Sequence, residues 1–73
     1  MAEKLPVLKP KMVIRALERN GFDIHRITGS HYILKRGKQR ATVPYHNKDL
    51  KPRTLASIIE QAGLTVKEFL DLL

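Results

Sequence analysis

The residues best suited to chemistry in this sequence are those of Gly29-Ser30-His31, a tight turn that ends in a histidine. The next five residues, Tyr-Ile-Leu-Lys-Arg, place two cations soon after the imidazole. A histidine takes or gives a proton near neutral pH, and cations stabilise the charge of a reacting phosphate. The turn therefore suits phosphodiester chemistry. The chain has no cysteine, paired-carboxylate motif or glycine-rich phosphate loop that would form a rival centre.

The positive charge of the chain is concentrated in one segment. The net charge is +7, and residues 24–59 carry all of the excess because their only acid is Asp49. The cations of this segment are Arg26, Lys35, Arg36, Lys38, Arg40, Lys48, Lys51 and Arg53. A segregated positive field attracts polyanions and speeds their encounter. The distribution favours a nucleic-acid partner over the alternative, the solvated surface of a basic protein.

Length and composition bound the class of protein. A chain of 73 residues forms one small domain that buries only about 60% of its unfolded surface. No apolar run reaches the ~20 residues of a membrane span, and no export signal is visible, so we expect a cytoplasmic protein. His25, His31 and His46 lack the spacing of a zinc site, so we expect neither a metal nor a small-molecule cofactor.

Three short strands are predicted in the middle of the chain, at Asp23–Thr28, His31–Arg36 and Gln39–Val43. The turns at 28–30 and 37–38 join them as consecutive antiparallel hairpins. Ile24 and Ile27 have opposite parity, which indicates a bulge or an end effect in the first strand. In the second strand, alternation does not decide whether His31 or Tyr32 belongs to the core-facing set.

Helical spacing predicts the remaining elements. Residues 1–10 form an extended lead-in with apolar residues that can dock on the single domain of residues 11–73. A first helix covers 11–20, and a second begins at Pro52 and stops at Gly63. Thr65 and Glu68 form a capping box for a last short helix. The order α-β-β-β-α-α predicts an α+β fold, with a three-stranded antiparallel sheet and helices on one face.

The motifs also occur in a specific order along residues 5–73. They are Asn20-Gly21-Phe22, Gly29-Ser30-His31, Thr42-Val43-Pro44, Leu50-Lys51-Pro52, Thr54-Leu55 and Gln61-Ala62-Gly63-Leu64. This series resembles the HicA (YcfA-like) family of small toxins from prokaryotic toxin–antitoxin pairs.

The resemblance implies both a fold and an activity. The family fold is similar to the double-stranded RNA-binding domain, and the family cleaves mRNA without a required metal. Its essential histidine is the one in the Gly-Ser-His turn, here His31, and its partner is a HicB-type antitoxin that occludes the active site. Relatives often have a second histidine where this chain has Tyr32, a difference that should leave activity intact.

Metal-free RNA cleavage uses the substrate's 2′-hydroxyl as nucleophile, with a base, an acid and cations for the phosphorane charge. We expect His31 to act in general acid–base catalysis, foremost as the base, with a contribution of about 10²–10⁴-fold. The second proton-transfer group is unassigned. Ser30 either binds a phosphate oxygen or bonds its own backbone. The other predicted RNA-binding residues are Lys35, Arg36, Lys38, Arg40, Lys48, Lys51 and Arg53.

The remaining polar candidates have plainer interpretations. We interpret His25 as a half-buried strand residue. His46, beside Lys48, either contacts RNA or is an exposed loop residue, and we favour the second. Asp49 is either the acid partner of His31 or a loop or capping acid, and again we favour the second. Tyr32 is expected to pack, whereas the role of Tyr45 is open between packing and stacking on a base.

Two other functions compete with the nuclease. The first is a non-catalytic RNA-binding module of the same fold, which charge alone does not distinguish from an enzyme. The second is a DNA-binding helix-turn-helix at residues 52–73. The recognition helix of that motif would carry Glu68 and Asp71 against Lys67 only, which is a poor charge for the major groove.

Overall fold

The computed structural model describes residues 5–73, whose elements follow the order α-β-β-β-α-α. They are α1 (Pro10–Arg19), β1 (Asp23–Thr28), β2 (His31–Arg36), β3 (Gln39–Pro44), α2 (Pro52–Gln61) and α3 (Val66–Leu70). The α+β fold predicted from the sequence is confirmed, and the strand boundaries agree to within one residue. The first four residues of the predicted lead-in lie outside the described part.

Proline begins both long helices, where its missing N–H costs nothing. Helix α1 begins at Pro10 and α2 at Pro52, and each buries an apolar stripe that faces the sheet. Helix α1 therefore starts one residue before the predicted boundary. Of the helices within residues 5–73, none is long and apolar enough to cross a membrane.

The sheet has the order β1-β2-β3 and is antiparallel throughout. Leu34 of β2 faces Ala41 of β3, and both are fully buried beneath the helices. Because successive side chains alternate between faces, His31, Ile33 and Lys35 must lie on the opposite side of the sheet. We call this side the open face. The structure thus settles which half of β2 faces the core.

A bulge in β1 explains the parity of its two isoleucines. The β1–β2 register shifts between Ile24 and Arg26, so His25 is the extra residue. Ile27 pairs with Tyr32 in regular register from the turn, and the bulge then brings Ile24 opposite Leu34, so both isoleucines lie on the helix side of the sheet. All six residues of β1 are nevertheless exposed. The helices therefore cover β2 and β3 and leave this edge strand uncovered.

The other edge of the sheet is closed by side chains. The backbone N–H of Thr42 donates to Oε1 of Gln61 at 3.1 Å. Alternate residues of an edge strand present their N–H groups outward, so Arg40 and Pro44 share this orientation with Thr42. Pro44 has no N–H to present. The outer side of β3 therefore has few backbone donors left for another strand.

The lead-in is attached to the domain by both side chains and backbone. Leu8 is buried in the core, and its carbonyl accepts a hydrogen bond from the Leu50 N–H at 2.8 Å. Leu5 packs against the core, whereas Val7 is 70% exposed. The predicted docking of apolar lead-in residues is confirmed for Leu5 and Leu8. The contact also holds the segment before α1 against the loop after β3.

Candidate active site

His31 lies at one end of the sheet, exposed at the first position of β2. Gly29 has a φ of +56°, a left-handed conformation that a residue with a side chain rarely adopts, so it permits the tight reversal from β1. The Ser30 carbonyl accepts a hydrogen bond from the Tyr45 N–H at 2.5 Å. The turn is therefore attached to the chain after β3 as well as to β1, which fixes the backbone that carries His31.

The pairing of the strands defines the neighbours of His31 on the open face. His31 pairs with Thr28 on β1 and with Pro44 on β3. In the next pair on the same face, Ile33 lies opposite Arg26. Arg26 is thus one step away along the sheet, about 7 Å at ~3.3 Å per residue. It is the cation that the strand register brings nearest to His31.

Lys35 and Arg40 form a second cationic group further along the open face. They lie opposite each other across β2 and β3, as the hairpin in the sequence predicts. Lys35 is four residues from His31, about 13 Å along the strand. Asp23 faces Lys35 from β1 and offsets part of its charge. Lys35 and Arg40 are therefore placed to bind a phosphate beyond the one at His31.

The Arg36 side chain is partly buried and is held by contacts within the fold. Its Nη1 donates to the Asn20 carbonyl at 3.0 Å and to the Asn20 Oδ1. Its guanidinium lies 5.0 Å from the centroid of the Phe22 ring, within the range of a cation–π contact. Arg36 thereby joins the end of α1 to β2. These contacts disfavour the phosphate-binding role that the sequence predicts for it.

The other predicted RNA-binding residues are exposed but dispersed. Lys38 lies in the β2–β3 turn, at the opposite end of that hairpin from His31. Lys48 is in the loop after β3, Lys51 precedes α2 and Arg53 is in its first turn. Lys51 and Arg53 thus flank the positive end of the helix dipole of α2.

The loop after β3 makes several specific contacts that the sequence does not predict. Tyr45 stacks on Tyr32 with ring centroids 4.6 Å apart and an interplanar angle of 23°. Asp49 pairs with Lys9, Oδ1 to Nζ at 3.4 Å, so it has a structural partner. Nδ1 of His46 accepts a hydrogen bond from the Lys48 N–H at 3.2 Å. Both tyrosines also pack against the core.

Arg26 is the residue that sequence reasoning omitted from the site. Its cationic side chain counts toward the charge of residues 24–59. Regular pairing outward from the Thr28–His31 pair places Arg26 opposite Ile33, so two-residue alternation from Thr28 already predicts that Arg26 shares the face of His31. Across residues 5–73, no group of three or more histidine, aspartate, glutamate or cysteine side chains is arranged to hold a metal ion.

The match to known families covers most of this fold. Residues 10–64 match the family described as the HicA toxin of bacterial toxin–antitoxin systems. The chain belongs to the HicA toxin family. The matched segment contains the Gly-Ser-His turn and the whole sheet, and it ends before α3. Membership in a toxin–antitoxin family implies an antitoxin partner for this HicA toxin. Comparison with curated proteins gives no match.

Proposed function

We propose that this HicA-family toxin is a metal-independent endoribonuclease that cleaves mRNA, with His31 in general acid–base catalysis. The supporting observation is the intact Gly-Ser-His turn, which presents an exposed histidine at the end of the sheet in a chain of this family. Arg26, rather than Lys35, is the nearest cation by register. The acid–base group and the phosphate-binding group thus occupy one face.

The reaction follows from the chemistry of RNA. His31 removes the proton from the 2′-hydroxyl, and the 2′-oxygen forms a bond to phosphorus. The bond from phosphorus to the 5′-oxygen then breaks, giving a 2′,3′-cyclic phosphate and a 5′-hydroxyl. The leaving oxygen receives its proton from water or from the imidazolium of His31. Arg26 stabilises the negative charge that develops on the phosphorane oxygens.

We further propose that the antitoxin is of the HicB type and inhibits by covering the open face around His31. The surface to be covered is cationic through Arg26, Lys35 and Arg40, so an antitoxin with acidic side chains complements it. RNA and antitoxin then compete for the same cations. Binding of the antitoxin excludes RNA without any change in the toxin fold.

The experiment that tests the nuclease is cleavage of a single-stranded RNA by the purified protein in EDTA. We expect cleavage to persist in EDTA and to yield cyclic-phosphate ends. His31→Ala should lower the rate by about 10²–10⁴-fold. His25→Ala, a change of the same type in the exposed bulge, should retain activity. Loss of cleavage in EDTA would contradict the metal-independent reaction.

The competing functions give different results in the same assay. A non-catalytic RNA-binding module would bind the RNA and leave it intact with wild type and His31→Ala alike. The helix-turn-helix is disfavoured by α3, which has five residues and buries Phe69. A helix this short, with Glu68 engaged in its own cap, is poorly suited to read a major groove.

A further inference from the structure

A groove lies at the end of the sheet where His31 is found, between the start of α1 and the loop after β3. Its volume is about 380 Å³, and it is lined by Lys9, Pro10, Lys11, Tyr45, His46 and Asn47. This volume is near the lower limit for small-molecule sites. The groove therefore has room for one group of the size of a nucleoside.

The walls of the groove are held by contacts of the residues that line it. Tyr45 is stacked on Tyr32 behind it, and the Tyr45 N–H bonds to the Ser30 carbonyl. Lys9 spans to the facing loop, where its Nζ donates to the Asn47 carbonyl at 3.2 Å and pairs with Asp49. These contacts preform the groove and connect one wall directly to the turn that carries His31.

The side chains of the groove combine three properties that suit a nucleotide. The accessible lining is almost entirely apolar and includes Tyr45, which suits a stacked base, while Lys11 in the first turn of α1 supplies a positive charge at the rim. Because Nδ1 of His46 accepts from the Lys48 N–H, the neutral imidazole carries its proton on Nε2. His46 is thereby set as a hydrogen-bond donor, a group that binds a phosphate oxygen or a base carbonyl.

We propose that this groove binds one base of single-stranded RNA beside the cleaved bond. The base stacks on Tyr45, while Lys11 and the Nε2–H of His46 bind the adjoining phosphate. The proposal rests on the proposed function, since it takes the RNA to be the substrate at His31. The proposal assigns His46 to substrate binding, whereas the sequence favours an exposed loop residue at this position.

The test uses a short single-stranded RNA and the His31→Ala protein, which keeps the groove and removes the cleavage group. We expect addition of this RNA to shift the backbone amide resonances of residues 9–11 and 45–47. Shifts confined to the sheet and the β2–β3 turn would overturn the proposal. So would a groove that responds only to the antitoxin, since it would then be a protein interface.

Further substitutions in the His31→Ala protein measure how much the groove contributes to the affinity for RNA. Tyr45→Leu should weaken RNA binding by roughly 5- to 50-fold through loss of stacking, whereas Tyr45→Phe should retain it. Lys11→Gln should weaken binding, and Lys67→Gln on α3, with the same change of charge, should not. Lys11 is exposed, so its substitution tests the groove even if Tyr45→Leu lowers stability. Equal affinities for all four variants would overturn the proposal.

The two proposals fail in different ways. If the wild type leaves RNA intact, the nuclease proposal is wrong, and the resonance shifts still decide whether the groove binds RNA. If the wild type cleaves but Tyr45→Leu and Lys11→Gln bind RNA as tightly as their controls, the groove proposal alone is wrong.

Discussion

Arg26 and His31 occupy successive residue pairs on the open face of the β1–β2 ladder. Their proximity follows from the Gly29-Ser30 turn, because regular pairing from Thr28 and His31 brings Arg26 opposite Ile33 before the bulge at His25 is reached. The strand that begins with His31 and the strand that carries Arg26 are joined by a single tight turn. The proposed catalytic group and its nearest cation therefore belong to one hairpin.

Arg26→Gln should reduce the rate of RNA cleavage in single-turnover assays by about tenfold, because it removes a cation beside the reacting phosphate. Lys38→Gln, the same type of change at the far end of the β2–β3 hairpin, should weaken RNA binding and leave the single-turnover rate at saturating protein unchanged. Comparable rate losses in both variants would show that Arg26 has no special role at the reacting phosphate.

Arg36→Gln should destabilise the fold without altering the electrostatics of RNA binding. Loss of the charged hydrogen bonds to Asn20 and of the contact with Phe22 should lower the free energy of unfolding by about 1–3 kcal/mol. The slope of log K against log salt should stay constant, whereas Lys38→Gln should reduce it by ~0.7. Urea denaturation and binding titrations measure the two effects. A reduced slope for Arg36→Gln would restore its predicted role as a phosphate ligand.

Leu34→Ala should be far more damaging than Ile33→Ala, although the two residues are adjacent. Leu34 is fully buried, so its truncation leaves a cavity and should cost about 3 kcal/mol, whereas Ile33 on the open face should cost about 1 kcal/mol. A domain of this size has only ~5 kcal/mol of stability to lose. Chemical denaturation tests the difference, and similar costs would contradict the assigned faces of β2.

The capping box of α3 should make part of the stability depend on pH. The Thr65 N–H donates to Glu68 at 2.8 Å and holds the pKa of that carboxyl below its usual value of 4.5. A lowered pKa in the folded state means that the ionised form stabilises the fold. This contribution is present above about pH 4.5 and is lost as the pH falls through the lowered pKa.

Two variants separate the contributions of the two hydrogen bonds in this capping box. Glu68→Ala should lower the melting temperature at pH 7, and its difference from wild type should shrink at acid pH, as the pH falls through the lowered pKa of Glu68. Thr65→Ala should cost about 1 kcal/mol at pH 7 and should keep more of its effect at acid pH than Glu68→Ala does, because the Thr65 hydroxyl also caps the Glu68 N–H, a contact that does not titrate. A constant difference for Glu68→Ala would contradict the role of its charge.

The boundaries of the elements were the part of the fold most accessible from sequence. Gly29 and the 37–38 turn separate the strands, and a proline marks the start of each long helix, because these residues act through local backbone geometry. The capping box is also local, and the structure contains both of its hydrogen bonds. Such features do not depend on what packs against them.

The parts that sequence left open all depend on contacts across the fold. Arg36 resembles any other strand cation until the end of α1 approaches it. His46 and Lys9 are 37 positions apart in sequence, and their segments meet through the contacts of Leu8 with Leu50 and of Lys9 with the loop after β3. Spacing along the chain carries no direct signal for such pairs.

The closed side of β3 has a consequence for how this protein meets other molecules. Exposed strands act as templates for polymerisation, and proteins avoid this with prolines and covering groups. Gln61 supplies to Thr42 the acceptor that a neighbouring strand would supply, and Pro44 offers no donor. Growth of the sheet in that direction is therefore disfavoured by the chain's own residues. Recognition on that flank depends on side chains, which substitution can alter without creating an aggregation-prone edge.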